Sequence, residues 1–285
     1  MKKIQAPNIN CFDEFEKIRK SKRKPICDRL RILQPIIAQR YIEYDAYFAS
    51  NSLHSLTTKT YSDEAVNDLL ICYTSKTEAL YQLKTAIKKN KFDEGSFKCS
   101  YCDLNEDYTF DHYLPKSIFP EFSVKALNLI PCCSRCNELK QNYWLDSTTQ
   151  NRGIINVYID SMPKVQYLFV ELVYDQSKNL FTANLSLKNV NGIDPALFSM
   201  IELHFAKLEL AKRYSSMFGE VFGQVVSIVT TYWTNQLSPK LIKTALEQYS
   251  DSQKQQRGQN FYEAIIYDAL ANNSDFLDNL SRFIT

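Results

Sequence analysis

The chain has 285 residues, of which 45% are hydrophobic and 23% charged, with 34 Lys and Arg against 32 Asp and Glu. The apolar fraction is that of an ordinary globular protein, and the length exceeds the ~100–200 residues of one domain, so two or three units are expected. There is no apolar run of the roughly eighteen residues that a membrane span needs, and MKKIQAPNINCFDEF lacks a secretory apolar stretch, so the reading is a soluble, cytoplasmic protein with no membrane partner.

Charge becomes informative when the chain is divided. Residues 1–90 are net +6, residues 91–150 net −3 and residues 151–285 net −1. The basic excess centres on Lys17 to Lys24, six bases in eight residues, with Arg29 and Arg31 following. Lys20, Lys22, Arg23 and Lys24 are therefore candidate phosphate contacts, since lysine and arginine supply most non-specific affinity for nucleic acid. The same run also suits a helix C-terminus that begins with Asp13, Glu14 and Glu16, where the macrodipole favours cations.

In chain order, residues 12–90 read as helical. Phe12, Phe15 and Ile18, then Leu30, Leu33, Ile37, Tyr41, Tyr44 and Phe48, recur at spacings that build an apolar helical face. Pro25 separates two helices, and Pro35 either kinks or restarts the second. Ser62-Asp63-Glu64 opens a further helix, predicted to run unbroken through Leu83 and Ile87 to Asn90. A central stretch then reads as strand (108–113), second strand region (126–132) and a helix starting near Ser134 that includes Asn137 and Lys140.

After Trp144, residues 165–174 and 180–187 form two β-rich runs joined by Asp175-Gln176-Ser177-Lys178-Asn179, a hairpin signal. Helices are expected over 196–218, 222–233, 239–249, 258–271 and 276–283. The predicted division is 1–90, an N-terminal helical region with the basic run; 91–150, a metal-bearing module; and 151–285, a hairpin plus helices.

The motifs lie in the middle. Cys99-x-x-Cys102 and Cys133-x-x-Cys136 have the spacing of two zinc knuckles, each offering two thiolates to one tetrahedral ion. Cys132 could replace Cys133, but a two-residue loop favours Cys133. Cys11, Cys27 and Cys72 share no spacing and read as small buried groups. Between the knuckles stand Asp111-His112-Tyr113-Leu114-Pro115 and Asn128-Leu129-Ile130-Pro131, and Asn137 follows the last cysteine.

That order resembles the zinc-stabilised form of the HNH, or ββα-metal, endonuclease family over residues 97–140, with Asn137 where the family often has a histidine. The resemblance implies an α+β fold: a mostly helical chain around a central ββα-metal module, with the β-hairpin after it. It also implies a metal-dependent endonuclease that hydrolyses nucleic acid, DNA first. His112 would be the base, neutral at pH 7 and able to take a proton from water. Asp111 and Asn137 would hold catalytic Mg2+ or Mn2+ through oxygen, Asn128 would fix the loop that orients His112, and Lys140 would contact phosphate. Zinc on four thiolates would be structural, since a closed site leaves no position for water. Residues 111–131 further resemble HNH proteins of bacterial antiphage systems of the Septu type, which implies an ATPase partner. Two other readings stand beside this one: a non-catalytic zinc-knuckle module that binds nucleic acid or protein, and a toxin or structural protein whose helical arms matter most. His54 reads as a surface residue and His204 as a packed one.

Overall fold

The computed structural model describes residues 3–92, 98–106 and 109–284, so Phe97 and Tyr108 of the expected module lie outside the described residues. The fold is α+β, mostly helical, with two small antiparallel sheets. The chain divides into two compact units, residues 2–161 and 162–285. Residues 2–161 take in what the sequence separates as 1–90 and 91–150, together with the first eleven residues of 151–285.

In the first unit, α1 (Cys11–Lys20) starts at Asn10, whose side chain accepts from Phe12 N and Asp13 N. It buries Cys11, Phe15 and Ile18, the expected apolar face. α2 (Ile26–Ala49) runs through Pro35 without restarting. The proline is exposed there, so its ring meets solvent rather than a packed neighbour. Leu30, Ile37, Tyr41 and Tyr44 form the buried face of α2, and the rings of Tyr41 and Tyr44 pack on Phe122.

The long helix expected from Ser62 to Asn90 is two helices, α3 (Asp63–Thr74) and α4 (Glu78–Phe92). Ser75 adopts extended backbone, and the Thr77 hydroxyl accepts from Leu80 N, which starts α4 afresh. Short hydroxyl side chains compete for backbone groups in this way and favour a cap over a helix interior. β1 (Thr109–His112) pairs antiparallel with β2 (Leu129–Cys132), in the register Thr109↔Cys132 and His112↔Leu129. The second strand begins one residue after Asn128, which ends a 3-10 turn. α5 (Ser134–Lys140) follows at the expected place and stops at Gln141, whose φ is +50°. The segment after it returns to the same core: Tyr158 Oη donates to Leu129 O, and Tyr113 Oη to Ile154 O.

The second unit carries β3 (Leu168–Asp175) and β4 (Leu180–Leu187), the expected hairpin. Asp175 closes its turn by accepting from Ser177 and Lys178. Phe181, Ala183 and Leu185 alternate inward along β4. The helix expected over 196–218 is broken into α6 (Pro195–Lys207) and α7 (Leu210–Ser216). Glu209 sits between them at φ +52°, a conformation no helix continues through. α8 (Phe218–Thr234), α9 (Pro239–Arg257), α10 (Tyr262–Ala271), α11 (Ser274–Asp278) and α12 (Leu280–Phe283) complete it. Among the described residues no helix is long and apolar enough to cross a membrane.

Candidate functional site

The four motif cysteines converge. The sulfur atoms of Cys99, Cys102, Cys133 and Cys136 all lie within 4.8 Å of one another, each residue buried. The first knuckle is closed by Asp103 N donating to Cys99 O at 2.9 Å, with Asp103 in the left-handed region. The second is the N-cap of α5, where Cys136 N donates to Cys133 Sγ at 3.4 Å. Hydrogen bonds from Cys102, Cys136 and Cys99 hold the Cys133 thiol far below its ordinary range. A crowd of buried thiols stabilising a thiolate is a donor set that fits a tetrahedral zinc ion. Cys132 is outside the cluster: its sulfur meets Thr109 Oγ1 at 3.6 Å, and burial raises its thiol. The choice between Cys132 and Cys133 is thereby decided by strand alternation, which turns neighbouring side chains to opposite faces.

The same alternation sorts β1. Thr109 and Asp111 face α5, where Asn137 Nδ2 reaches Thr109 Oγ1 at 3.4 Å and Lys140 Nζ lies 3.0 Å from Asp111 Oδ1. Phe110 and His112 face α3 and α4: the Tyr73 ring packs edge-on against the His112 imidazole at 4.3 Å, and Lys84 Nζ lies 6.0 Å from the Phe110 ring. His112 therefore faces away from α5 and Asn137.

His112 is only 6% exposed, and its Nε2 lies 2.9 Å from Ser123 O. A carbonyl can only accept, so Nε2 carries the proton and Nδ1 keeps a free lone pair. Burial, aided by Lys116, lowers the imidazole to about 3, so the ring is neutral at pH 7. The loop that presents Ser123 O is held by Asn128. Its Oδ1 accepts from Leu114 N at 2.8 Å, and its Nδ2 donates to Leu114 O at 3.0 Å and Phe122 O at 3.3 Å. Ser123 Oγ donates to Leu69 O, which ties the loop to α3 as well.

Asp111 and Lys140 form a buried ion pair. Tyr101 Oη donates to Asp111 Oδ2 at 2.8 Å, and Lys140 Nζ also donates to His112 O at 2.9 Å. Lys140 is fully buried, so its expected role as a surface phosphate contact is corrected: its ammonium already serves Asp111. Lys22 needs the same correction. It is buried, donates to Ile71 O, and burial lowers its ammonium, while Lys20, Arg23 and Lys24 are exposed. Arg29, which extends the run, is spent on Asp68 through two bonds of 2.6 and 2.7 Å. His54 is exposed and His204 fully buried, as expected.

No family model matches the chain, and no solved structure matches it. Two curated proteins are similar. Protein ea31 of Escherichia phage lambda is 28% identical over 207 residues, 63% of this chain and 63% of its own length. The Septu protein PtuB of Bacillus thuringiensis is 23% identical over 199 residues, 68% of this chain and 72% of its own length. The match thus spans less than two thirds of the phage protein. The likeness to PtuB supports a link to Septu-type defence.

Sequence reasoning missed Tyr73, Lys84, Tyr101, Lys116 and Ser123 around Asp111 and His112. Tyr73 and Ser123 carry no local signal, since only tertiary packing brings them to β1.

Proposed function

We propose that the chain is an HNH-type phosphodiester hydrolase acting on nucleic acid, DNA first, and that it serves antiphage defence beside an ATPase partner. The observation that supports this reading is the posture of His112. It stands at the end of the first strand of a ββα unit, with Nε2 bonded to Ser123 O in a loop fixed by Asn128. The Nε2 bond to Ser123 O sets the orientation of the ring and leaves Nδ1 as the nitrogen that can take a proton.

In this reading His112 Nδ1 takes a proton from water as the water oxygen bonds to phosphorus and the P–O3′ bond breaks. The departing oxygen is protonated from solvent. Asn128 acts on the reaction only through the loop. The four cysteines hold zinc, which fastens the start of the module to the N-terminus of α5 and does no chemistry itself. Asp111 and Asn137 are the residues that would hold Mg2+ or Mn2+ to stabilise charge on the phosphate, but they lie on the face of β1 opposite His112, so one phosphate meets both only if β1 and α5 rearrange. Asp111 becomes available to a cation only when the Lys140 ammonium gives way. Lys20, Arg23 and Lys24 remain as surface cations for phosphate.

The buried Lys140–Asp111 pair gives the alternative, a non-catalytic zinc-knuckle binding module, its one specific support: such a module needs no cation at Asp111. Cleavage of an oligonucleotide by the wild-type chain and by His112→Ala, both carrying equal zinc, with the ATPase partner added in parallel, separates the two. The hydrolase reading expects cleavage lost in the variant. The binding reading expects no cleavage by either protein under any of these conditions.

A further inference from the structure

The turn between α3 and α4 shapes a groove of about 490 Å³ that includes Tyr73, Lys76, Tyr81 and Lys84 among its walls. Its electrostatics are one-sided. Lys84 Nζ lies 4.1 Å from the centre of the Tyr73 ring and Lys116 Nζ 5.6 Å from the same ring. Among the described residues, Lys76, Lys84 and Lys116 have no carboxylate within ion-pair distance. The one acid on the wall, Glu78, accepts from Gln82 Nε2. Burial, and then the neighbouring Lys88, lower the Lys84 ammonium.

Two aromatic rings give the groove a direction. Tyr81 is 66% exposed on α4, where Leu80, Leu83 and Ile87 are buried. Tyr73, at the other side, rests edge-on against His112. Unpaired cations spaced along a wall that also offers an exposed aromatic face suit one chemistry, a single nucleic-acid strand: phosphates meet ammoniums and an unstacked base lies on the ring.

We propose that the α3–α4 groove binds a single nucleic-acid strand through Lys76, Lys84 and Lys116, stacks a base on Tyr81, and leads the backbone to Tyr73 and His112. This rests on the hydrolase reading for what happens at His112, but binding itself does not.

The test is fluorescence anisotropy of a short fluorescein-labelled oligothymidylate with the full chain, titrated at several salt concentrations. The variants are Lys76→Ala/Lys84→Ala/Lys116→Ala, Tyr81→Ala and, as a control on the other basic surface, Lys20→Ala/Arg23→Ala/Lys24→Ala. Thermal melts confirm that each remains folded. The groove triple variant is expected to weaken binding by more than tenfold and to flatten the logarithmic salt slope by about two, given roughly 0.7 per phosphate contact on a single strand. Tyr81→Ala is expected to weaken it about tenfold. Unchanged affinity and slope in a folded triple variant, or a loss confined to the control, overturns the proposal. So does a wild-type chain that binds no oligonucleotide. Cleavage of the same oligonucleotide by the wild-type chain is followed in parallel, so a failed hydrolase reading with an intact groove shows as binding without cleavage.

Discussion

Lys140 and Asp111 place two opposite charges in a dry interior, each at 2% exposure or less, with Tyr101 and His112 O satisfying what remains. Removing one member of such a pair strands the other. Lys140→Met is expected to cost about 3–5 kcal/mol of stability, and Asp111→Asn a comparable amount. The double variant should lose much less than the sum, because both charges are gone. Denaturant melts of the four proteins check this, and strictly additive losses would mean that the two charges are not coupled. Asn128 offers a second prediction at this scale. Asn128→Ala leaves Leu114 N, Leu114 O and Phe122 O without their amide partner, at about 1–3 kcal/mol for each buried group left unsatisfied. Cleavage should fall with it, since the carbonyl that orients His112 is on that loop. A variant that is destabilised yet cleaves at the wild-type rate would separate the loop from the site. Cys99, Cys102, Cys133 and Cys136 could be picked out in the sequence because their spacing is that of a metal-ligand set, and the structure brings them together. The partner of Lys140 could not, because it is set by which face of β1 packs on α5. Lys22 likewise looked like one surface base among several until its contact with Ile71 O placed it inside.

At the scale of elements, zinc and the helix break matter most. The two knuckles lie on either side of β1 and β2, and the second is also the cap of α5, so one ion would fix a loop, a strand and a seven-residue helix. A seven-residue helix has little intrinsic stability in water. Cys99→Ser and Cys136→Ser are expected to lower zinc content towards zero. They should lower the melting temperature of residues 2–161 by about 10 °C or more, as for loss of several kcal/mol in a unit of this size. Metal analysis and thermal scans read both, and full zinc occupancy in either variant would dismiss the four-thiolate site. Two β-rich runs located the β3–β4 hairpin, and helical periodicity located α1 and α2, because apolar spacing reports directly on which face is buried. It ran α3 into α4 and α6 into α7, because the apolar rhythm continues across both breaks. What ends the helices is the extended backbone of Ser75 with the Thr77 cap, and the left-handed Glu209. A periodic pattern does not record either.

For the molecule as a whole, residues 2–161 carry the zinc knuckles, His112 and both basic surfaces, while residues 162–285 carry a hairpin and seven helices among the described residues. The proposed hydrolase chemistry thus falls entirely on the first unit. The likeness to PtuB covers 68% of the chain, more than the ββα module alone, so the helical elements share in it. Length alone leads to an expectation of two or three units. It did not reveal that the N-terminal helices and the cysteine module share a core, because Tyr44 on α2 meets Leu127 and Asn128 only through the fold.

The most direct measurement is the nicking rate of supercoiled plasmid by zinc-loaded wild-type chain and by His112→Gly, with Mg2+ or Mn2+, with the ATPase partner, and with and without free imidazole. The account predicts nicking by the wild type, a rate lower by about a hundred- to ten-thousand-fold in the variant, and partial recovery when imidazole fills the vacated site. A His112→Gly protein that nicks as fast as the wild type would contradict it, because the group oriented by Ser123 and Asn128 would then have no part in the reaction.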